Sequence, residues 1–102
     1  MAKLKYWELV DEIKQLRRQE ETEGAEQLLL RCVCAIEAEG GYPAPWYFEQ
    51  LAILYRKAGR LKQEISVLER FILACAKAGE PPIASIEARL VKAHALATKQ
   101  SD

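Results

Sequence analysis

Three cysteines, a single histidine and 15 acidic residues are the side chains of this 102-residue chain whose types suit metal binding or catalysis. Cys32 and Cys34 form a C-x-C pair. On a helix, two residues turn about 200° around the axis, so these thiols diverge. A zinc ion held on one helix wants ligands three or four residues apart. The pair therefore reads as small core residues, and Cys75 reads the same way. His94 stands alone. A general base needs a nucleophile or carboxylate arranged around it, and none is recognisable, so His94 reads as a structural, core-facing residue. Glu20, Glu21 and Glu23 cluster at a turn, where they are solvated or sit near the positive N-terminus of a helix. No Gly-rich phosphate loop, H-E-x-x-H, G-x-S-x-G or Cys/His zinc pattern occurs. Neither catalysis, a metal nor a cofactor is expected.

The residues suited to recognition are basic and aromatic. Arg17-Arg18 and Arg56-Lys57 each end a helical segment, and Lys14 lies one turn before the first pair. Cations at helix C-termini complement the macrodipole, which is a sufficient structural reason for them. If the two segments lie side by side, however, the cations form one patch. Trp7 and Trp46 fall beside it, and Ile53 shares a helical stripe with Trp46. Aromatic anchors of this kind often carry binding energy. Such a surface suits an acidic peptide, and its charge also suits a phosphate backbone. The balance of 15 basic and 15 acidic residues weighs against a dedicated nucleic-acid binder.

These residues must be positioned by helices. Half the residues are hydrophobic and 29% are charged, an ordinary globular composition for one domain spanning residues 1–102. The runs between breaks are rich in Ala, Leu, Glu, Lys, Arg and Gln, which favour helix, and nothing alternates with period two. Gly40-Gly41-Tyr42-Pro43-Ala44-Pro45 and Gly79-Glu80-Pro81-Pro82 are strong breaks. Softer ones lie at Glu21 to Gly24 and at Gly59-Arg60. The result is an all-α fold of five helices. They are expected over about 4–19, 23–39, 45–58, 61–78 and 82–98. The core faces are Leu9, Ile13 and Leu16; Ala25, Leu28, Leu29, Cys32 and Ile36; Phe48, Leu51, Ala52 and Tyr55; Leu61, Ile65, Leu68 and Ile72; and Ile83, Ile86, Leu90 and Ala97. The third helix also carries Tyr47 and Leu54 on a further apolar stripe, as a central helix would.

Sliding the chain along itself until Gly40 falls on Gly79 superimposes it weakly on itself. The same shift pairs Trp7 with Trp46, Arg17 with Arg56, Arg31 with Arg70 and Ile36 with Cys75. Repeating the shift puts Leu90 on Leu51, Val91 on Ala52 and His94 on Tyr55. The pattern is a hairpin over 4–39, a hairpin over 45–78 and a capping helix over 82–98. A helical hairpin cannot bury both faces alone, and stacking a second one closes the core.

Residues 45–73 resemble the tetratricopeptide repeat. The resemblance rests on Phe48, Leu51-Ala52, Tyr55 and Gly59 in the first helix and turn, and on Ile65 and Leu68 in the second. Two small positions of the family's second helix hold Glu64 and Phe71 instead, and the closing proline comes late. The first hairpin matches through Ala25 but has no glycine at its turn. The resemblance implies a right-handed stack of antiparallel hairpins whose first helices line a concave groove. It also implies protein or peptide binding without catalysis. The expected contacts are Trp7, Lys14, Arg17, Arg18, Trp46, Ile53, Arg56 and Lys57. The alternatives are a homodimerising scaffold paired through Leu90, Val91 and Leu96, and nucleic-acid binding through the basic ends of helices 1 and 3. No segment is long and apolar enough to span a membrane. The N-terminus lacks a signal-peptide core. An odd number of cysteines fits a reducing compartment. A cytoplasmic location without membrane association is expected.

Overall fold

The computed structural model describes residues 4–100 and is all-helical, with no strand among them. A 3-10 turn at Tyr6–Leu9 leads into α1, Val10–Arg18. It is followed by α2, Thr22–Glu39, then α3, Pro45–Lys57, then α4, Leu61–Ala78, and finally α5, Ala84–Gln100. Three boundaries differ from expectation by more than one residue. The first helix is regular only from Val10, because the preceding turn is tightened around Tyr6, whose ring meets Tyr47 at 5.2 Å. The fifth starts two residues past Pro82. Its first turn hangs on the Ile83 carbonyl, which accepts from the Ile86 and Glu87 amides. Helix α5 also runs through Lys99 and Gln100.

The turns explain why the helices stop where they do. After α1, the Glu20 amide donates to Arg17 O and the Glu21 amide to Leu16 O. After α3, the Gly59 amide donates to Arg56 O and the Arg60 amide to Tyr55 O. These are Schellman endings, which satisfy the last carbonyls and need one residue at positive φ. Gly59 supplies it at φ 74° without cost, whereas the first turn forces Glu20 to φ 59°. The missing glycine is thus a missing residue type and not a different turn. The step from Thr22, which opens α2, to Leu61, which opens α4, equals the step from Pro45 of α3 to Ala84 of α5.

Helix α3 is the centre of the core. Tyr47, Phe48, Leu51, Ala52, Leu54 and Tyr55 are all buried, with α2 on one side and α4 on the other. Phe48 meets Phe71 of α4 edge-on at 5.3 Å. Ile13, Ala25, Leu29, Cys32, Ile36, Leu61, Leu68, Cys75 and Ile86 are buried as expected. Leu9, Leu16, Leu28, Ile72, Ile83 and Leu90 are half-buried against the same cluster. Ile65 and Ala97 are half-buried as well. Val33, Val67, Phe71 and Ala93 are buried beyond what helical spacing assigns to the core.

Ion pairs tie α2 to α4. Arg70 clasps Glu37 through Nε and Nη2 at 2.9 and 2.6 Å. Arg60, just ahead of α4, reaches both Glu26 oxygens at 3.1 Å, and the Tyr55 hydroxyl donates to Glu26 at 2.8 Å. Burial raises the Glu26 pKa, but the bonds from Arg60 and Tyr55 and the Arg60 charge outweigh it and leave the carboxyl below its ordinary 4.5.

Two expected core residues lie outside. Cys34 is exposed, with Arg70 Nη2 at 3.8 Å from its sulfur. Cys32 faces in, as the nearly opposite directions of residues two apart on a helix require. His94, with a side chain 55% exposed, has Glu69 at 4.0 Å from its Nε2. Its counterpart Tyr55 is buried, bonded to Glu26 of α2 and covered by Arg60. The reverse error is Glu64, which is fully buried although charged.

Candidate functional site

Helices α1 and α3 present one surface. Lys14 holds its ammonium 5.9 Å from the Trp46 ring centroid, and Arg17 donates from Nη1 to the Gln50 side-chain carbonyl. Gln50 thereby fixes Arg17 at the boundary between two adjoining clefts. One, about 340 Å³, lies between Arg17 and Lys57, with Leu54 and Ala25 as apolar floor and Glu20 at its edge. The other, about 290 Å³, is lined by Lys14, Arg17, Arg18 and Gln50. Four cations therefore surround a shared depression that includes one carboxylate, Glu20. Their charges reinforce one another, because like-signed groups lining a cleft focus the field outward.

An aromatic chain leads to this surface. Trp7, 57% exposed, meets Tyr6 at 5.2 Å; Tyr6 meets Tyr47 at 5.2 Å; and Tyr47 meets Trp46 at 5.0 Å. All three contacts are edge-to-face, the arrangement that ring quadrupoles favour. Burial, followed by the nearby Cys32 and Tyr6, pushes the Tyr47 hydroxyl up to about 12. The rings of Tyr6 and Tyr47 therefore anchor the two tryptophans to the core.

Two expected contacts fall elsewhere. Arg56 turns to the buried Glu64, Nε to Oε1 at 2.6 Å, so its charge is already matched within the chain. Ile53 is half-buried and lines neither cleft. Conversely, Gln50, Leu54 and Thr22 border the clefts although they are not among the expected contacts. Gln50 carries a readable signal, as a polar residue set between two apolar stripes of a central helix.

No protein-family model, curated protein or solved structure matches the chain. Function must be read from this geometry. Among the described residues, no three His, Cys, Asp or Glu side chains come together as metal ligands would. No helix among them is long and apolar enough to cross a membrane. What the α1–α3 surface offers is charge, two clefts and aromatic faces.

Proposed function

We propose that this chain is a non-catalytic interaction module, a tetratricopeptide-like stack of two hairpins and a capping helix. It binds an acidic segment of a partner protein across α1 and α3. The observation that carries this reading is the grouping of Lys14, Arg17, Arg18 and Lys57 around two clefts that share Arg17. Carboxylates of a partner would occupy these cations, while Leu54 and the face of Trp46 take apolar groups between them. Arg17 suits a planar carboxylate best, since its guanidinium is already oriented by Gln50. Free Cys32, Cys34 and Cys75 fit a cytoplasmic, reducing location.

The reading is tested by fluorescence anisotropy with labelled acidic peptides, some carrying an aromatic residue. Binding should weaken at least tenfold in Arg17→Glu and Lys57→Glu, with helicity unchanged, because charge reversal at a contact costs more than about 1.4 kcal/mol. Binding that ignores both reversals would overturn it. Salt-sensitive binding of single-stranded DNA in preference to the peptides would move the assignment to nucleic acid.

A further inference from the structure

The shift that lays Gly40 on Gly79 also lays Pro45, the first residue of α3, on Ala84, the first of α5, so the faces of these two helices can be compared position by position. Tyr47 and Leu54 of α3 are buried, and their counterparts Ile86 and Ala93 are the two buried residues of α5. Phe48, Ala52 and Tyr55 are also buried in α3, on the side that packs on α4. Their counterparts are Glu87, Val91 and His94, and all three are exposed, Val91 by 71%. Leu90, counterpart of the buried Leu51, is left half-buried. Helix α5 thus keeps the face that packs backward and bares the face on which α3 receives its next helix. A helix face left to water is ordinarily polar. This one has Val91 at its middle, with Ala84, Ala88 and Ala95 beside it.

We infer that this face pairs with the α5 helix of a second copy of the chain, antiparallel about a two-fold axis at Val91. The argument is the complementarity of the groups that flank it: a carboxylate, which accepts, meets an imidazole, which donates a hydrogen bond and forms an ion pair when protonated. In an isologous pair, each contact between residues i and j occurs twice. With Val91 opposite Val91, Glu87 of each copy comes opposite His94 of the other. The two pairs flank the apolar centre symmetrically. His94 already has Glu69 of its own chain at 4.0 Å, so it would lie between two carboxylates. The alanines allow close backbone approach. Lys92 and Lys99 project about 80–100° around the helix from Val91, to the side away from Glu87 and His94, so the two Lys92 side chains meet at the solvent-facing rim of the pair and not at its apolar centre. This pairing does not depend on the ligand surface of α1 and α3.

Sedimentation equilibrium of the full chain from micromolar to millimolar concentration tests it. A monomer–dimer equilibrium is expected. Val91→Glu, at an exposed site, places two carboxylates on the axis and should weaken association at least tenfold. His94→Lys should tighten it, Glu87→Lys should weaken it, and the double variant should be weaker than the two effects added. Glu87 and His94 of one helix are two turns apart and do not touch, so that coupling reports a contact between copies. A strict monomer at millimolar concentration would overturn the inference. So would a dimer that tolerates Val91→Glu, or additive effects of the two charge changes.

Discussion

The buried pair of Arg56 and Glu64 allows a quantitative test of how this core is held. Glu64 is fully buried, while the Arg56 side chain is 28% exposed. They share one short contact, 2.6 Å, and two further atoms of the pair, Arg56 Nη2 and Glu64 Oε2, are buried without a hydrogen-bond partner. A half-satisfied pair recovers little of its desolvation cost, so the pair itself adds little net stability. Removing one member is another matter. Arg56→Met leaves a carboxylate with no counter-charge on the buried face of α4 that also carries Leu68 and Phe71. Such losses typically cost 3–5 kcal/mol. The partial exposure of Arg56 lets water approach the gap, so about 2–4 kcal/mol is expected here. Glu64→Leu frees Arg56 to turn toward solvent and should cost under about 1 kcal/mol, since the apolar side chain refills the site. The double variant should lie within about 1 kcal/mol of the parent, because it buries no unpaired charge. Urea denaturation with unchanged m-value measures all four proteins. For a domain of this size, the Arg56→Met loss corresponds to a fall in Tm of at least about 8 °C. An Arg56→Met cost below about 1 kcal/mol, or a double variant less stable than Arg56→Met alone, would refute the reasoning.

Other outcomes follow from single features. Glu20→Gly relieves a positive-φ position and should stabilise by about 0.5–1 kcal/mol, whereas Gly59→Ala should cost about 1 kcal/mol, both read from urea midpoints. The Glu26 carboxyl has a folded pKa below its unfolded value of 4.5, so its stabilisation is complete above pH 4.5 and is lost as pH falls through the folded value. Glu26→Gln should therefore flatten the acid limb of the stability profile. Tyr47 and Tyr55 are raised to about 12, mainly by burial, with the Glu26 bond next for Tyr55. Both are neutral in either state below pH 10. Between pH 10 and 12 the unfolded chain ionises first, so stability should fall across that window, and less so in Tyr47→Phe.

The fold is legible where backbone chemistry punctuates it. Gly59 and Gly79 bracket α4, and its boundaries, Leu61 and Ala78, are those expected. Amphipathic spacing overextends α1, because it does not distinguish a 3-10 turn from the first turn of an α-helix. The burial of Glu64 is not legible. Its type argues for the surface, and its counter-charge, Arg56, lies on the preceding helix across a turn, where helical spacing does not reach. His94 misleads because sequence pairing with Tyr55 transfers position on a helix, while burial depends on what packs next. The cationic surface is legible in Lys14, Arg17, Arg18 and Lys57. Their joining into two clefts depends on Gln50, which no sequence pattern ties to Arg17.

The three thiols give the chain its own record of how it opens. Cys34 is exposed and should react with an alkylating reagent at once. Cys32 and Cys75 are buried, one in each hairpin, and burial raises both thiol pKa values, which suppresses attack further. Each can be modified only when its own hairpin exposes it. If the shared core makes the hairpins one cooperative unit, Cys32 and Cys75 will label at the same rate in the same molecules. If one hairpin opens alone, the label will accumulate first on its cysteine, and the order of modification will show which half of the core is the weaker.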